Sequence, residues 1–147
     1  MVRIEVEYLG DLRCKAVHGP SGTELLTDAP VDNHGRGESF SPTDLVATAL
    51  ATCVLTTMGI VAARHEWDLT GSSASIEKSM VSTPARRIGR LEMVVRMPAA
   101  LDERARSTLE HTAHNCPVNL SVNPEIELPL RFEYTVGSAP ASGRPAR

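Results

Sequence analysis

Aromatic side chains are scarce in this 147-residue sequence, which has one Trp, two Tyr and two Phe. Its core must therefore be built from Leu, Val, Ile, Ala and Met. A hydrophobic content of 41% is ordinary for a folded domain and argues against intrinsic disorder. We expect one domain over residues 1–136, followed by a flexible tail over residues 137–147, where the sequence reads GSAPASGRPAR.

Runs of like charge and glycine-rich phosphate loops are also missing. The net charge is −3 and no basic stripe is present, so the electrostatic footprint of a nucleic-acid-binding protein is absent. The polar, glycine-bearing loop DNHGRGESF does not match a dinucleotide-binding fingerprint. We therefore expect no nucleic-acid partner and no cofactor.

Cysteines are few, and their number is odd. Three cysteines without a recognisable signal peptide argue against a structural disulfide framework. We expect a protein of the reducing cytoplasm, where paired cysteines are more often redox-active than structural.

One long apolar stretch resembles a membrane span in length. Residues 45–63 carry no charge, but they include Thr48, Thr52 and Thr56, and no aromatic belt or basic flank accompanies them. Apolar residues occupy every side of this predicted helix. We therefore expect a central helix buried in protein, and no membrane partner.

The hydrophobic periodicity predicts an α+β fold in the order β-β-β-α-β-β-α-β, with an antiparallel sheet and two helices. The first helix should begin at a cap formed by Ser41, with Pro42 at its first position, and should run to about Arg64. The second should cover roughly Asp102 to Asn115. The predicted strands lie at residues 2–8, 12–17, 23–29, 73–81, 91–97 and 126–136.

Two cysteines lie in or beside the predicted helices. Cys53 falls inside the first helix, and Cys116 follows the second in the run HNCPV. Each could be a small core residue, because free cysteine is among the most buried residue types. Together they could instead form a redox pair, since a thiol on each of two helices can meet in space. Cys14 alternates with apolar neighbours on a strand and is expected to be core packing.

Two other chemistries fit the sequence poorly. His111, His114 and Cys116 offer a partial metal-ligand pattern, but no fourth ligand lies nearby, so we expect no metal site. A hydrolase would need a nucleophile elbow of the form G-x-S-x-G, which the sequence lacks.

Two motifs resemble those of the OsmC/Ohr family. The run SPTDLVATALATC is similar to that family's helix-opening motif NPEELLAAALAAC, and NCPV resembles its second cysteine motif. Their separation and the element order also match, over residues 1 to about 136. The resemblance implies an OsmC-like fold and an intertwined homodimer with its active sites at the subunit interface.

The resemblance also implies a thiol peroxidase that reduces organic hydroperoxides or hydrogen peroxide in oxidative stress defence. In that role Cys53 attacks the peroxide, Cys116 resolves the product as a disulfide, and an external dithiol restores both thiols. An arginine from the N-terminal strands stabilises the thiolate. Arg13 matches best, with Arg36 as a substitute.

One position departs from the family pattern. The family's hydroperoxidases carry a glutamate that orients the arginine, and this sequence has Thr43 there. Asp44, one residue further on, and Glu38, in the preceding loop, are the candidates for the missing carboxylate. The alternative to a peroxidase is a non-catalytic dimer that binds a small apolar ligand in its interface cleft.

Overall fold

The computed structural model describes residues 1–137. The expected flexible tail therefore lies, except for its first residue, outside the described residues. The chain clusters into two compact units, one covering Met1–Val46 and a second that begins at Ala47.

The first unit is a three-stranded antiparallel meander. Its strands are β1 (Ile4–Gly10), β2 (Arg13–His18) and β3 (Glu24–Asp28), in the order β1-β2-β3. Asp11 and Leu12 join the first two strands with positive φ angles of 50° and 61°. Such a two-residue turn matches the right-handed twist of the strands it connects, and it holds β1 and β2 in register.

One face of this sheet is apolar but exposed. Register pairs Ile4 with His18, Val6 with Ala16, and Tyr8 with Cys14, so these side chains share a face. Ile4, Val6 and Tyr8 are each more than half exposed, at 58%, 66% and 65%. The first unit contributes no buried apolar side chain, because every buried hydrophobic residue lies at or beyond Ala47.

The second unit contains a three-stranded sheet in the order β4-β5-β6, together with helix α2 and most of helix α1. The strands are β4 (Ser73–Val81), β5 (Arg87–Pro98) and β6 (Leu130–Val136), and the helices are α1 (Pro42–Arg64) and α2 (Glu103–His114).

The α+β class and the predicted order of strands and helices are confirmed, and one pairing differs from the prediction. β4 and β5 are antiparallel, but β6 lies parallel to β5, with Met93 opposite Leu130. The reason is the intervening helix. α2 crosses from the end of β5 back to the start of β6, and a crossover of this kind returns the chain in the same direction. β6 also begins four residues later than predicted.

Helix α1 is buried along one face only. Its buried residues recur at helical spacing and form a single stripe, which consists of Ala47, Leu50, Ala51, Val54, Met58 and Ala62. Ile60 on another face is 50% exposed. The prediction of a helix buried on all sides is therefore not met within one chain, because the second unit supplies only one layer for the helix to pack against.

α1 is also the one helix in residues 1–137 whose length and composition would allow it to cross a membrane, with 28% of its apolar window buried. This is weak evidence for a membrane span, since core helices of soluble proteins pass the same test.

Candidate functional site

The cysteine of the first helix lies partway along α1. Cys53 is half-buried and carries a free thiol. Its backbone carbonyl accepts a 2.8 Å hydrogen bond from the Thr57 hydroxyl one turn later. A half-buried thiol remains accessible to a small reactant while much of its surface is shielded from water.

The second cysteine follows the end of α2. Cys116 is 1% exposed, and the N–H of Asn119 donates to its sulfur over 3.4 Å. The N–H of Val118 donates to the same sulfur. Pro117 permits this geometry, because its fixed φ begins the short helical turn in which Leu120 N–H donates to the Cys116 carbonyl.

The two thiols are neighbours in the second unit, close enough for Cys53 to affect the titration of Cys116. Burial raises the pKa of the Cys116 thiol, the two backbone N–H groups oppose that shift, and the neighbouring Cys53 raises the pKa further. Cys116 therefore keeps its proton at neutral pH. Both thiols are free in this structure, and a disulfide between them would require Cα atoms within about 7 Å of each other.

The predicted arginine lies in the first unit, where it is held by two carboxylates. The Arg13 guanidinium forms ion pairs with Glu38 and, over 3.4 Å, with Asp28 Oδ2. The Arg13 side chain is 33% exposed, Glu38 is 59% exposed and Asp28 only 1%. The contact joins the arginine and one of the candidate carboxylates named from the sequence, and their roles at Cys53 stay a prediction.

Asp28 was not selected by the sequence analysis. Its Oδ2 accepts the Glu38 N–H at 3.0 Å, and the Arg36 backbone lies close to the same carboxylate. These contacts, the Glu38 N–H foremost, together with the charge of Arg13, hold the pKa of Asp28 below its usual value although burial opposes them. Asp28 is an acidic residue at the end of β3, directly opposite Arg13 in the strand pairing. An acidic residue opposite an arginine on neighbouring strands is the signal that could have revealed it.

The cluster of Arg13, Asp28 and Glu38 lines a cleft of about 280 Å³. Arg13 Nε and Asp28 Oδ1 are both buried, and neither has a hydrogen-bond partner among the described residues. The cluster therefore retains unused donor and acceptor capacity.

The other two orienting candidates form the start of α1. The Asp44 carboxylate accepts the Ser41 N–H at 2.8 Å, while the Ser41 hydroxyl accepts the Asp44 N–H at 3.1 Å. This reciprocal pair is a capping box. The Thr43 hydroxyl lies 3.0 Å from the Ser41 hydroxyl. Asp44 and Thr43 therefore both contact Ser41, the residue that caps the start of α1. Arg36, the second candidate for the arginine, forms an exposed ion pair with Asp11.

The two histidines near Cys116 serve different contacts. The His114 ring contacts Phe132 edge-on, with centroids 6.4 Å apart. His111 lines a groove of about 320 Å³ between α1 and α2, together with Ile60 and Val61. Within residues 1–137, no group of three or more His, Cys, Asp or Glu side chains is placed to hold a metal ion.

The chain was compared with known proteins. The family model described as OsmC-like protein matches residues 35–131. None of the curated protein sequences compared with the chain matches it. Among solved structures, an osmotic stress induced and detoxification response protein from Psychrobacter arcticus is similar, with 42% identity and a TM-score of 0.85. That match covers 90% of this chain and 96% of the other.

More distant structures share the fold. An organic hydroperoxide resistance protein OsmC from Legionella pneumophila has 18% identity and a TM-score of 0.73, covering 90% of this chain and 96% of its own. An organic hydroperoxide resistance protein from Elizabethkingia anophelis has 14% identity and a TM-score of 0.74, covering 92% and 96%. The family match over most of the chain, the 42% identical relative and the shared fold together establish that this protein belongs to the OsmC-like family.

Proposed function

We propose that this protein is a cysteine-dependent peroxidase that reduces organic hydroperoxides or hydrogen peroxide in oxidative stress defence. The observation that carries the proposal is the pair of neighbouring thiols with unequal exposure, Cys53 half-buried and Cys116 1% exposed. Two family relatives with this fold are described as organic hydroperoxide resistance proteins, which supports a redox role.

The proposed roles of Cys53 and Cys116 follow from how exposed each thiol is. Cys53, the accessible thiol, attacks the peroxide as a thiolate, the O–O bond breaks, and Cys53 becomes a sulfenic acid while the alkoxide takes up a proton to leave as an alcohol. Cys116 then attacks the Cys53 sulfur, hydroxide leaves and combines with the Cys116 proton as water, and a disulfide forms. An external dithiol reduces that disulfide in two exchange steps and is itself oxidised.

Arg13 is the residue that we propose stabilises the negative charge on the Cys53 thiolate. A guanidinium close to a thiolate lowers the free energy of the charged form and stabilises the departing oxygen. We assign Arg13 this role at Cys53, with Glu38 as an orienting carboxylate.

The protein is further proposed to act as a homodimer in the cytoplasm. The exposed apolar face of β1, with Val6 at its centre, and the exposed side of α1 at Ile60 are surfaces that a second copy would cover. The proposed dimer would also bury the part of α1 that one chain leaves uncovered.

The test is mass spectrometry of the reduced protein after one equivalent of cumene hydroperoxide. The expected product is a Cys53–Cys116 disulfide. Cys116→Ser should stop at a Cys53 sulfenic acid that dimedone traps, and Cys53→Ser should stay reduced. Cys14→Ser is the matched control and should behave as the wild type. Free thiols that persist under conditions that oxidise a known peroxidase would contradict the proposal.

The groove between α1 and α2 favours a second candidate, a non-catalytic dimer that binds a small apolar ligand. The groove measures about 320 Å³ and includes the apolar side chains of Ile60 and Val61. This alternative predicts slow alkylation of Cys53 and no peroxide-dependent disulfide, so the same experiment separates the two functions.

A further inference from the structure

Three groups lie close to the carboxylate of Asp28. Arg13 begins β2, Asp28 ends β3, and the two are register partners in the sheet. The loop after β3 then turns back, so that the Glu38 N–H donates to Asp28 Oδ2 at 3.0 Å and the Arg36 backbone lies close enough to lower the pKa of Asp28. The Asp28 N–H in turn donates to the Phe40 carbonyl at 3.1 Å.

The return of this loop depends on a close backbone approach. A side chain at Gly35 would collide with the carbonyl of Ala29, and Gly37 adopts a φ of 66°, which other residues rarely do. Glycine at both positions therefore allows the loop to bring Glu38 back beside Arg13.

The two carboxylates on Arg13 differ in rigidity. The Glu38 side chain is 59% exposed and has three rotatable bonds, so its ion pair competes with water and costs side-chain entropy. The Asp28 side chain is 1% exposed. Its position is fixed by the Glu38 N–H, a backbone donor that does not depend on Arg13. A fixed, buried acceptor determines the position of a guanidinium better than a mobile, exposed one.

We infer that Asp28 is the positioning residue of Arg13, and that it supplies the orienting carboxylate that Thr43 does not. This inference rests on the proposed function, because it matters only if Arg13 acts at Cys53. Asp28 fixes the guanidinium from β3, in the same sheet as Arg13, instead of from the start of α1.

The experiment is a kinetic double-mutant cycle on the full-length protein, with the rate of Cys53 oxidation by cumene hydroperoxide as readout. Asp28→Asn keeps the side-chain shape and an oxygen acceptor but removes the charge. We expect it to slow oxidation roughly tenfold when Arg13 is present and less than about twofold in the Arg13→Gln background. A purely structural role would slow both backgrounds equally and would overturn the inference.

A matched control lies in the same sheet. Glu24→Gln removes the other β2–β3 ion pair, between Glu24 and Lys15 at 3.5 Å, and should leave the rate unchanged. If Asp28→Asn does not fold, Asp28→Glu replaces it, because it keeps the charge but moves the carboxylate away from its position in β3. We expect it to slow oxidation when Arg13 is present and to have little effect in the Arg13→Gln background, whereas equal slowing in both backgrounds overturns the inference.

The outcomes also separate this inference from the proposed function. If the wild-type protein is not oxidised by peroxide, the proposed function fails. If the wild type reacts and Arg13→Gln is slow, but Asp28→Asn reacts at the wild-type rate, only the role of Asp28 fails.

Discussion

At the scale of single residues, burial separates two cysteines that belong to one pair. Cys53 is half-buried on α1, while Cys116 is 1% exposed and receives two backbone N–H groups. An alkylating reagent needs a thiolate that it can reach, so the two sulfurs should differ in reactivity even though they are neighbours.

We expect iodoacetamide to modify Cys116 far more slowly in the folded protein than in urea. Burial raises the pKa of Cys116, so the reactive thiolate is scarce at pH 8 and appears only at higher pH in the folded state. A variant with both Cys14→Ser and Cys53→Ser isolates this thiol, and mass spectrometry of timed samples measures the rate. Equal rates in the folded and unfolded protein would refute the assignment of Cys116 as a shielded thiol.

Asp28 should make stability depend on acid pH. Its pKa in the folded protein lies below the unfolded value of about 3.9, chiefly because of the Glu38 N–H, so the charged form favours folding. This contribution is present above about pH 4 and is lost as the pH falls through the folded pKa. In urea unfolding at pH 2–6, Asp28→Asn should therefore show a flatter pH profile than the wild type. Parallel profiles would count against a buried, charged Asp28.

At the scale of elements, α2 places Cys116, and the position of α2 depends on a cap at its start and on contacts further along the helix. Asp102 caps its start, where Oδ1 accepts the Ala105 N–H at 2.8 Å. Near its middle, the Tyr134 hydroxyl of β6 donates to Glu110 at 2.6 Å, and the Arg106 guanidinium lies 4.1 Å from the Tyr134 ring centroid. The two contacts of Tyr134 connect α2 to β6.

Removing the cap should weaken the second unit. Asp102→Ala leaves the Ala105 N–H without its side-chain acceptor and should cost about 1 kcal/mol of unfolding free energy. Urea unfolding at neutral pH should show a lower midpoint with an unchanged slope. Glu103→Ala, one residue further on, is the control and should have a smaller effect. If both variants lose the same stability, the cap is not the cause.

At the scale of the whole molecule, the distribution of apolar surface points to a second copy. The first unit buries no apolar side chain among the described residues, and α1 buries only one face. Surfaces of this kind are rarely left to water in a soluble protein. The proposed dimer would cover them and is consistent with the family to which the chain belongs.

The wild-type protein should sediment at twice the 15.8 kDa mass of the chain. Ile60→Glu places a charge on the exposed side of α1 and should shift the protein toward the monomer, because an unpaired charge is costly to bury in an interface. Glu103→Gln, on α2, is the matched surface control and should remain dimeric. A wild-type protein that is monomeric at micromolar concentration in analytical ultracentrifugation would exclude the dimer.

The sequence by itself determined the element order, the capped start of α1 at Ser41 and the two cysteines worth testing, because periodicity and caps are local. The tertiary structure alone decided that β6 lies parallel to β5, that Cys116 is the shielded thiol of a neighbouring pair, and that Asp28 pairs with Arg13. Each of these depends on residues far apart in the chain. Their contact is set by the crossover of α2 and by strand register, neither of which is visible in local pattern.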